Sequence, residues 1–203
     1  MRKILVKNFD GSWIDLNNID PAQINMERLA MALDNLCRWN GHTNRFYSVC
    51  AHSVRVYEIT KRMYKSGKYS NLFDFDDIDK YLMAALLHDL SEALIGDCIT
   101  PVKKALKEYR NIENRVMNKF YEYNGINFAN VELAIHIADK IALLEESQFL
   151  FPEGFHKKEL LLNDYEIKEA EKISFNRDWA CDPNYINFII IYNRLRKRII
   201  KND

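Results

Sequence analysis

Three places in the chain put a titratable side chain where a helix should bury apolar ones. His52 lies three residues after Val49 and four before Val56, inside one apolar stripe. His88-Asp89 closes the segment Tyr81-Leu82-Met83-Ala84-Ala85-Leu86-Leu87, which is apolar on every face. Asp139 sits in Ile135-His136-Ile137-Ala138-Asp139-Lys140-Ile141-Ala142. A lone buried carboxylate costs on the order of several kcal/mol unless it is paired or bound to metal. Two imidazoles and two carboxylates converging inside a helical bundle can hold a divalent cation and remove that cost. Each feature alone has a plainer reading: a hydrogen-bonded core histidine, a surface Asp-Lys pair, a chance His-Asp dipeptide. Their joint placement on expected buried faces is what points to metal.

The elements that must position these groups follow from periodicity. Ile4 to Phe9 and Trp13 to Leu16 flank Asp10-Gly11, which suits a type I′ hairpin turn. Met26, Leu29, Ala30, Leu33, Leu36 and Cys37 repeat at helical spacing after Asn25, a capping residue, with Gly41 beyond the end. A second helix should start at Ser48, carry Val49, His52, Val56, Ile59 and Met63, and end at Gly67. A polar connection over 66–79 leads to a third, from about Asp77 to Leu94, with Gly96 as the stop. Thr100-Pro101 has the form of an N-cap followed by proline at the first helical position. A fourth helix then carries Val102, Leu106, Tyr109, Ile112, Val116 and Phe120 and ends near Gly125. A fifth spans about 130–150 and stops at Pro152. A weaker one covers about 164–173. A last begins at Asp182-Pro183 with Ile186, Ile189, Ile190 and Leu195 as its stripe. The expected fold is all-α: one domain over 1–203, with a short N-terminal β-hairpin at 1–19, a helical-bundle core at about 20–150 and C-terminal helices over 151–203.

The 203 residues suffice for one sizeable core. Lys plus Arg equals Asp plus Glu at 29 each, so the formal net charge is zero. That balance gives no electrostatic reason to expect long nucleic acid or an anionic membrane as partner. Cys37, Cys50, Cys98 and Cys181 form no CxxC pair, so neither a zinc knuckle nor a disulfide framework is suggested. The first residues carry an apolar run too short for a signal peptide, and no stretch reaches membrane-spanning length. A cytoplasmic location is the expectation.

Ala51-His52-Ser53, Leu86-Leu87-His88-Asp89-Leu90-Ser91-Glu92-Ala93 and Ala138-Asp139-Lys140 together resemble the H…HD…D signature of the HD-domain phosphohydrolase superfamily. The likeness is closer to its small 5′-nucleotidase branch, which combines an Arg-aromatic pair, an H-D-x-x-E motif and a G-D-x-x-T-P-x-K segment. Here these are Arg38-Trp39, His88-Asp89-Leu90-Ser91-Glu92 and Gly96-Asp97-Cys98-Ile99-Thr100-Pro101-Val102-Lys103. The resemblance covers about residues 10 to 150. Cys37-Arg38-Trp39-Asn40-Gly41-His42-Thr43 with Phe46-Tyr47-Ser48-Val49 also looks like bacteriophage-encoded members, which include dNTP phosphohydrolases, some selective for dATP.

The resemblance implies an HD-domain fold and metal ligation by His52, His88, Asp89 and Asp139. The donor set suits Co, Mn, Zn or Ni, with Mg allowed on the substrate phosphates. Glu92 is implied as the acid–base residue, expected one turn below His88 on the same helix face. Arg38 and Lys103 are implied to hold phosphate, Lys103 near the N-terminus of its helix. Trp39, His42, Asp97 and Thr100 complete the substrate-binding set, with Asp97 toward a sugar hydroxyl. Each also has an ordinary role open to it: a surface carboxylate for Glu92, a solvated lysine for Lys103, a core indole for Trp39, a turn cap for Asp97. His136, one turn before Asp139, is open as a substitute ligand but reads better as orienting a neighbour or facing away. Glu145-Glu146 and Arg194-Leu195-Arg196-Lys197-Arg198 read as solvated helix faces, the latter available for oligomer contacts, since family members often form homo-oligomers. The expected activity is metal-dependent removal of phosphate from a deoxynucleotide, either a dNMP or a dNTP. The competing class is a nucleotide-binding or interaction module without catalysis.

Overall fold

Short extended segments open the chain, and helices build everything after them. The computed structural model describes residues 3–8, 10–74, 77–151 and 182–202. Strand β1 (Leu5–Lys7) pairs antiparallel with β2 (Trp13–Asp15), with Val6 opposite Ile14. The Asn8 N–H donates to Ser12 O at 2.8 Å and the Gly11 N–H to Asn8 O at 3.0 Å. Gly11 sits at φ 86°. This is a three-residue loop closed by a left-handed glycine, not the two-residue type I′ turn that Asp10-Gly11 suggests. Phe9 lies outside the described residues.

Helix α1 (Met26–Asn35) begins where the Asn25 side chain accepts from the Arg28 N–H. It buries Leu29, Ala30 and Leu33. Helix α2 (Val49–Ser66) is capped by the Ser48 hydroxyl, which accepts from the Ala51 N–H at 3.0 Å. It ends at Gly67 in the left-handed region. Both caps stand where the residue types place them.

Helix α3 (Ile78–Leu87) is buried continuously from Tyr81 to Leu87, but it stops seven residues short of the expected Leu94. Tight bonds from the Leu90 N–H to Leu87 O and from the Glu92 N–H to Asp89 O replace the α pattern. Glu92 then opens a new short helix, α4 (Glu92–Ile95), so it does not share a helix face with His88. Gly96 at φ 82° ends it. Helix α5 (Thr100–Ala105) carries Pro101 in its first turn, with Ile99 rather than Thr100 at the cap. Leu106, at φ −106° and ψ 88°, separates α5 from α6 (Lys107–Tyr123), where one continuous helix was expected. That bend lets Lys103 reach Glu113 at 2.7 Å.

Helix α7 (Phe128–Phe149) nearly matches the fifth expected helix. Pro152, the weak helix over 164–173 and Cys181 lie outside the described residues. Helix α8 (Tyr185–Asn202) buries Phe188, Tyr192, Leu195 and Ile199, a true helical stripe, while Ile186 and Ile190 face out. The expected stripe of Ile186, Ile189, Ile190 and Leu195 is thus rotated about the helix axis. Of the basic run, Leu195 is buried and Arg196 bonds Asn124 Oδ1 at 2.8 Å.

Helix α2 packs against α3 and α7, and α8 crosses α1 and α3. One apolar core runs from Leu16 beside the hairpin to Ile199 in α8. Within it Arg55 of α2 is fully buried and forks onto Glu145 of α7 at 2.6 and 2.7 Å. No helix among the described residues is long and apolar enough to cross a membrane.

Candidate active site

His52 comes from the first turn of α2, His88 from the end of α3, Asp89 from the turn after it, and Asp139 from the middle of α7. Their functional atoms converge. The two imidazole Nε2 atoms stand 3.1 Å apart. Asp139 Oδ1 is 3.1 Å from His52 Nε2, and Asp89 Oδ2 lies 3.2 Å from His88 Nε2 and 3.6 Å from His52 Nε2. Ligand atoms of His52, His88 and Asp139 all lie within 4.8 Å of one another.

The hydrogen bonds on the far side of each ring fix what the near side offers. His52 Nδ1 faces Glu146 Oε1 at 2.6 Å, and His88 Nδ1 faces the Ala85 carbonyl at 2.9 Å. Both partners accept only, so each neutral ring carries its proton on Nδ1 and turns an Nε2 lone pair inward. Two lone pairs and two carboxylate oxygens then crowd one point, which is tolerable only with positive charge between them. Adjacent ligands on a cation with bonds of about 2.0–2.2 Å stand roughly 3 Å apart, matching these spacings. The donor set therefore fits a divalent ion. The ionisation equilibria express the same demand. Burial and Arg38 push the His52 imidazole down, but Glu146 and Asp139 outweigh them and hold it at about 9. Asp139 is held at about 2 against its burial by His52 and His88.

Glu146 lies seven residues after Asp139, two helical turns along α7. Its Oε2 accepts from Arg38 Nε and from the Trp39 indole N–H, both at 3.1 Å. Arg38 Nη1 is also 3.5 Å from Asp89 Oδ2. Trp39 and Asn40 reach this position on left-handed backbone, at φ 57° and 51°, followed by Gly41 at φ 77°. That conformation costs a non-glycine residue roughly 1–2 kcal/mol. It is braced by the Arg38 N–H on Tyr47 O at 2.9 Å and the His42 N–H on Trp39 O at 3.0 Å. Downstream, Asn44 clips this loop to the end of α7: its backbone N–H donates to Leu150 O and its side-chain amide to Phe149 O.

A cleft of about 550 Å³ opens over the cluster. Arg38, Trp39, Asp89, Glu92, Asp97, Lys103 and Asp139 are among the residues that line it. Burial, reinforced by Asp89 and Asp97, pushes the Glu92 carboxyl up to about 9, so it keeps its proton at neutral pH. Glu92 Oε2 is buried and makes no hydrogen bond. Burial also raises the Asp97 carboxyl. Lys103 Nζ bridges Glu92 at 3.3 Å and Glu113 at 2.7 Å. It is thus an anchored ammonium rather than part of an open helix N-terminus, and α5 has only six residues. Trp39 meets Phe151 edge to face at 5.1 Å, making an apolar wall. His42 and Thr100 are exposed residues of the cleft lining. His136 is exposed on α7 and is not one of the clustered donors.

Glu145 and Glu146 correct the sequence expectation most sharply. Both are buried, not solvated, and each serves a different arginine. Arg55, Glu113 and Phe151 likewise escape the sequence reading. The one available signal was the spacing of seven between Asp139 and Glu146, which repeats a helix face.

The profile of the "5'-deoxynucleotidase YfbR-like" family matches residues 27–148. An uncharacterized protein of Rhodobacter capsulatus is 32% identical over 166 residues, covering 78% of each chain. The uncharacterized protein YfdR of Escherichia coli K12 is 26% identical over 145 residues, covering 71% of each chain. The family match spans α1 to α7 and with them every clustered donor. The chain therefore belongs to the YfbR-like 5′-deoxynucleotidase family of HD-domain nucleotide phosphohydrolases.

Proposed function

We propose that the protein hydrolyses the phosphate ester of a deoxynucleoside 5′-monophosphate, using a divalent cation held by His52, His88, Asp89 and Asp139. One observation carries this reading: the four electron-pair donors meet at a cleft that also holds a guanidinium, an anchored ammonium and a protonated carboxyl. The cation, when bound, supplies Lewis-acid polarisation of a phosphoryl oxygen and a lowered pKa for water. Arg38, fixed through Nε by Glu146, offers its outer N–H groups to phosphate oxygens. Lys103 adds a second positive charge to the same cleft. Glu92 Oε2, buried and unengaged, delivers a proton to the departing 5′-oxygen. Asp97 and Thr100 meet the sugar, His42 stands at the phosphate side of the rim, and Trp39 with Phe151 walls the base.

A second reading, hydrolysis of a dNTP, draws support from Lys104 and Lys140, which line the same cleft and add charge for a longer phosphate chain. In that case Mg would accompany the substrate phosphates. Product analysis with a panel of dNMPs and dNTPs, in Co, Mn, Zn, Ni and Mg, separates the two. Orthophosphate from dNMPs is the expected result. Triphosphate or pyrophosphate from dNTPs favours the second reading. Nucleotide uptake without release of any phosphate would leave only a binding module.

A further inference from the structure

We infer that Glu146 is a positioning residue that couples the cation site to the substrate grip through a single buried carboxylate. The inference rests on the cation and Arg38 roles proposed above. Three donors divide between its two oxygens: His52 on Oε1, Arg38 and Trp39 together on Oε2. Glu146 itself is fully buried. On one side it holds the His52 proton on Nδ1 and so keeps Nε2 free to ligate. On the other it holds Arg38 and the strained Trp39 segment facing the cleft.

Only a carboxylate can serve both sides, because both its oxygens accept. A glutamine of the same shape has one oxygen and one amide NH2. If the oxygen stays with Arg38 and Trp39, the NH2 donates to His52 Nδ1 and drives the ring proton onto Nε2, blocking ligation. If the oxygen turns to His52, the NH2 opposes two N–H donors and frees Arg38 and Trp39. Two donors against one decide the orientation, so the loss should fall on the cation.

Calorimetric titration of chelator-treated Glu146→Gln with Co²⁺ should show affinity about 10–100-fold weaker than wild type. The KM for the deoxynucleotide at saturating Co²⁺ should change much less. A raised KM with native Co²⁺ affinity would reflect the other amide orientation and equally support the coupling. Native Co²⁺ affinity together with native kcat and KM overturns it. Should Glu146→Gln fail to fold, the zinc-loaded wild-type protein with ¹⁵N-labelled histidine carries the test. His52 bound through Nε2, with an exchange-protected Nδ1 proton, supports the inference; binding through Nδ1, or an unprotected Nδ1 proton, overturns it. A wild-type protein that binds no cation and releases no phosphate refutes the parent reading and this one with it. Wild-type activity beside an indistinguishable variant refutes this one alone.

Discussion

Glu92 is where chemistry and stability pull apart. Its carboxyl sits at about 9 in the folded protein against an ordinary 4.5, so the native state holds a proton the unfolded chain has released. Stability from this group is complete below about pH 4.5 and is lost as pH rises toward 9. At about 1.4 kcal/mol per unit, the deficit at pH 7 is on the order of 3 kcal/mol. Glu92→Gln keeps the neutral shape, so it should raise the thermal midpoint of chelator-treated protein at pH 8 and leave it unchanged at pH 4.5. It should also lower kcat by roughly 10²-fold while Co²⁺ binding persists. Scanning calorimetry and steady-state kinetics check the pair of effects; an unchanged midpoint at pH 8 counts against the buried, protonated carboxyl. His52, His88, Asp89 and Asp139 were legible as candidates because each interrupts an apolar run. Glu146 was not, since two adjacent glutamates look like a wet surface. Their arginine partners stand 108 and 90 positions away in the sequence.

Between elements, the buried Arg55–Glu145 pair ties α2 to α7, the two helices that bring His52 to Asp139. Removing one partner of a buried pair leaves an uncompensated charge and costs about 3–5 kcal/mol. Arg55→Ala should lose stability on that scale in urea denaturation. Arg55→Met with Glu145→Leu should recover most or all of it, because the desolvation cost disappears with the charges. A single variant as stable as wild type would show that the pair is not buried in solution. The caps at Asn25, Ser48 and Gly67 were readable because cap chemistry is local. The breaks at His88 and Leu106 carry no proline or glycine to announce them. The bond from Lys103 to Glu113 joins side chains on either side of the Leu106 bend, and periodicity alone does not reveal that pairing.

For the molecule as a whole, helical periodicity was enough to give an all-α fold, since most apolar stripes lie on the faces that pack. The hairpin loop follows from the register of its two strands and the face α8 buries from what α1 and α3 cover, and neither is carried by local residue types. A cation that binds only the folded protein must stabilise all of it. Co²⁺ at a hundred times its Kd adds about 2.7 kcal/mol, a rise of roughly 5–11 °C for a chain of this size. Thermal shift should show that rise in the wild type and none in Asp139→Ala; a full rise in the variant would remove Asp139 from the cation site. The clip that Asn44 places on the last carbonyls of α7 has its own consequence. Helices fray from their ends, and Asp139 lies well inside this one while the clipped turn is its last. Warming should therefore loosen the Arg38–Trp39 loop and the turn that carries Glu146 together, so a mildly heated sample sheds its nucleotide and grips its ion less tightly before Asp139 itself moves.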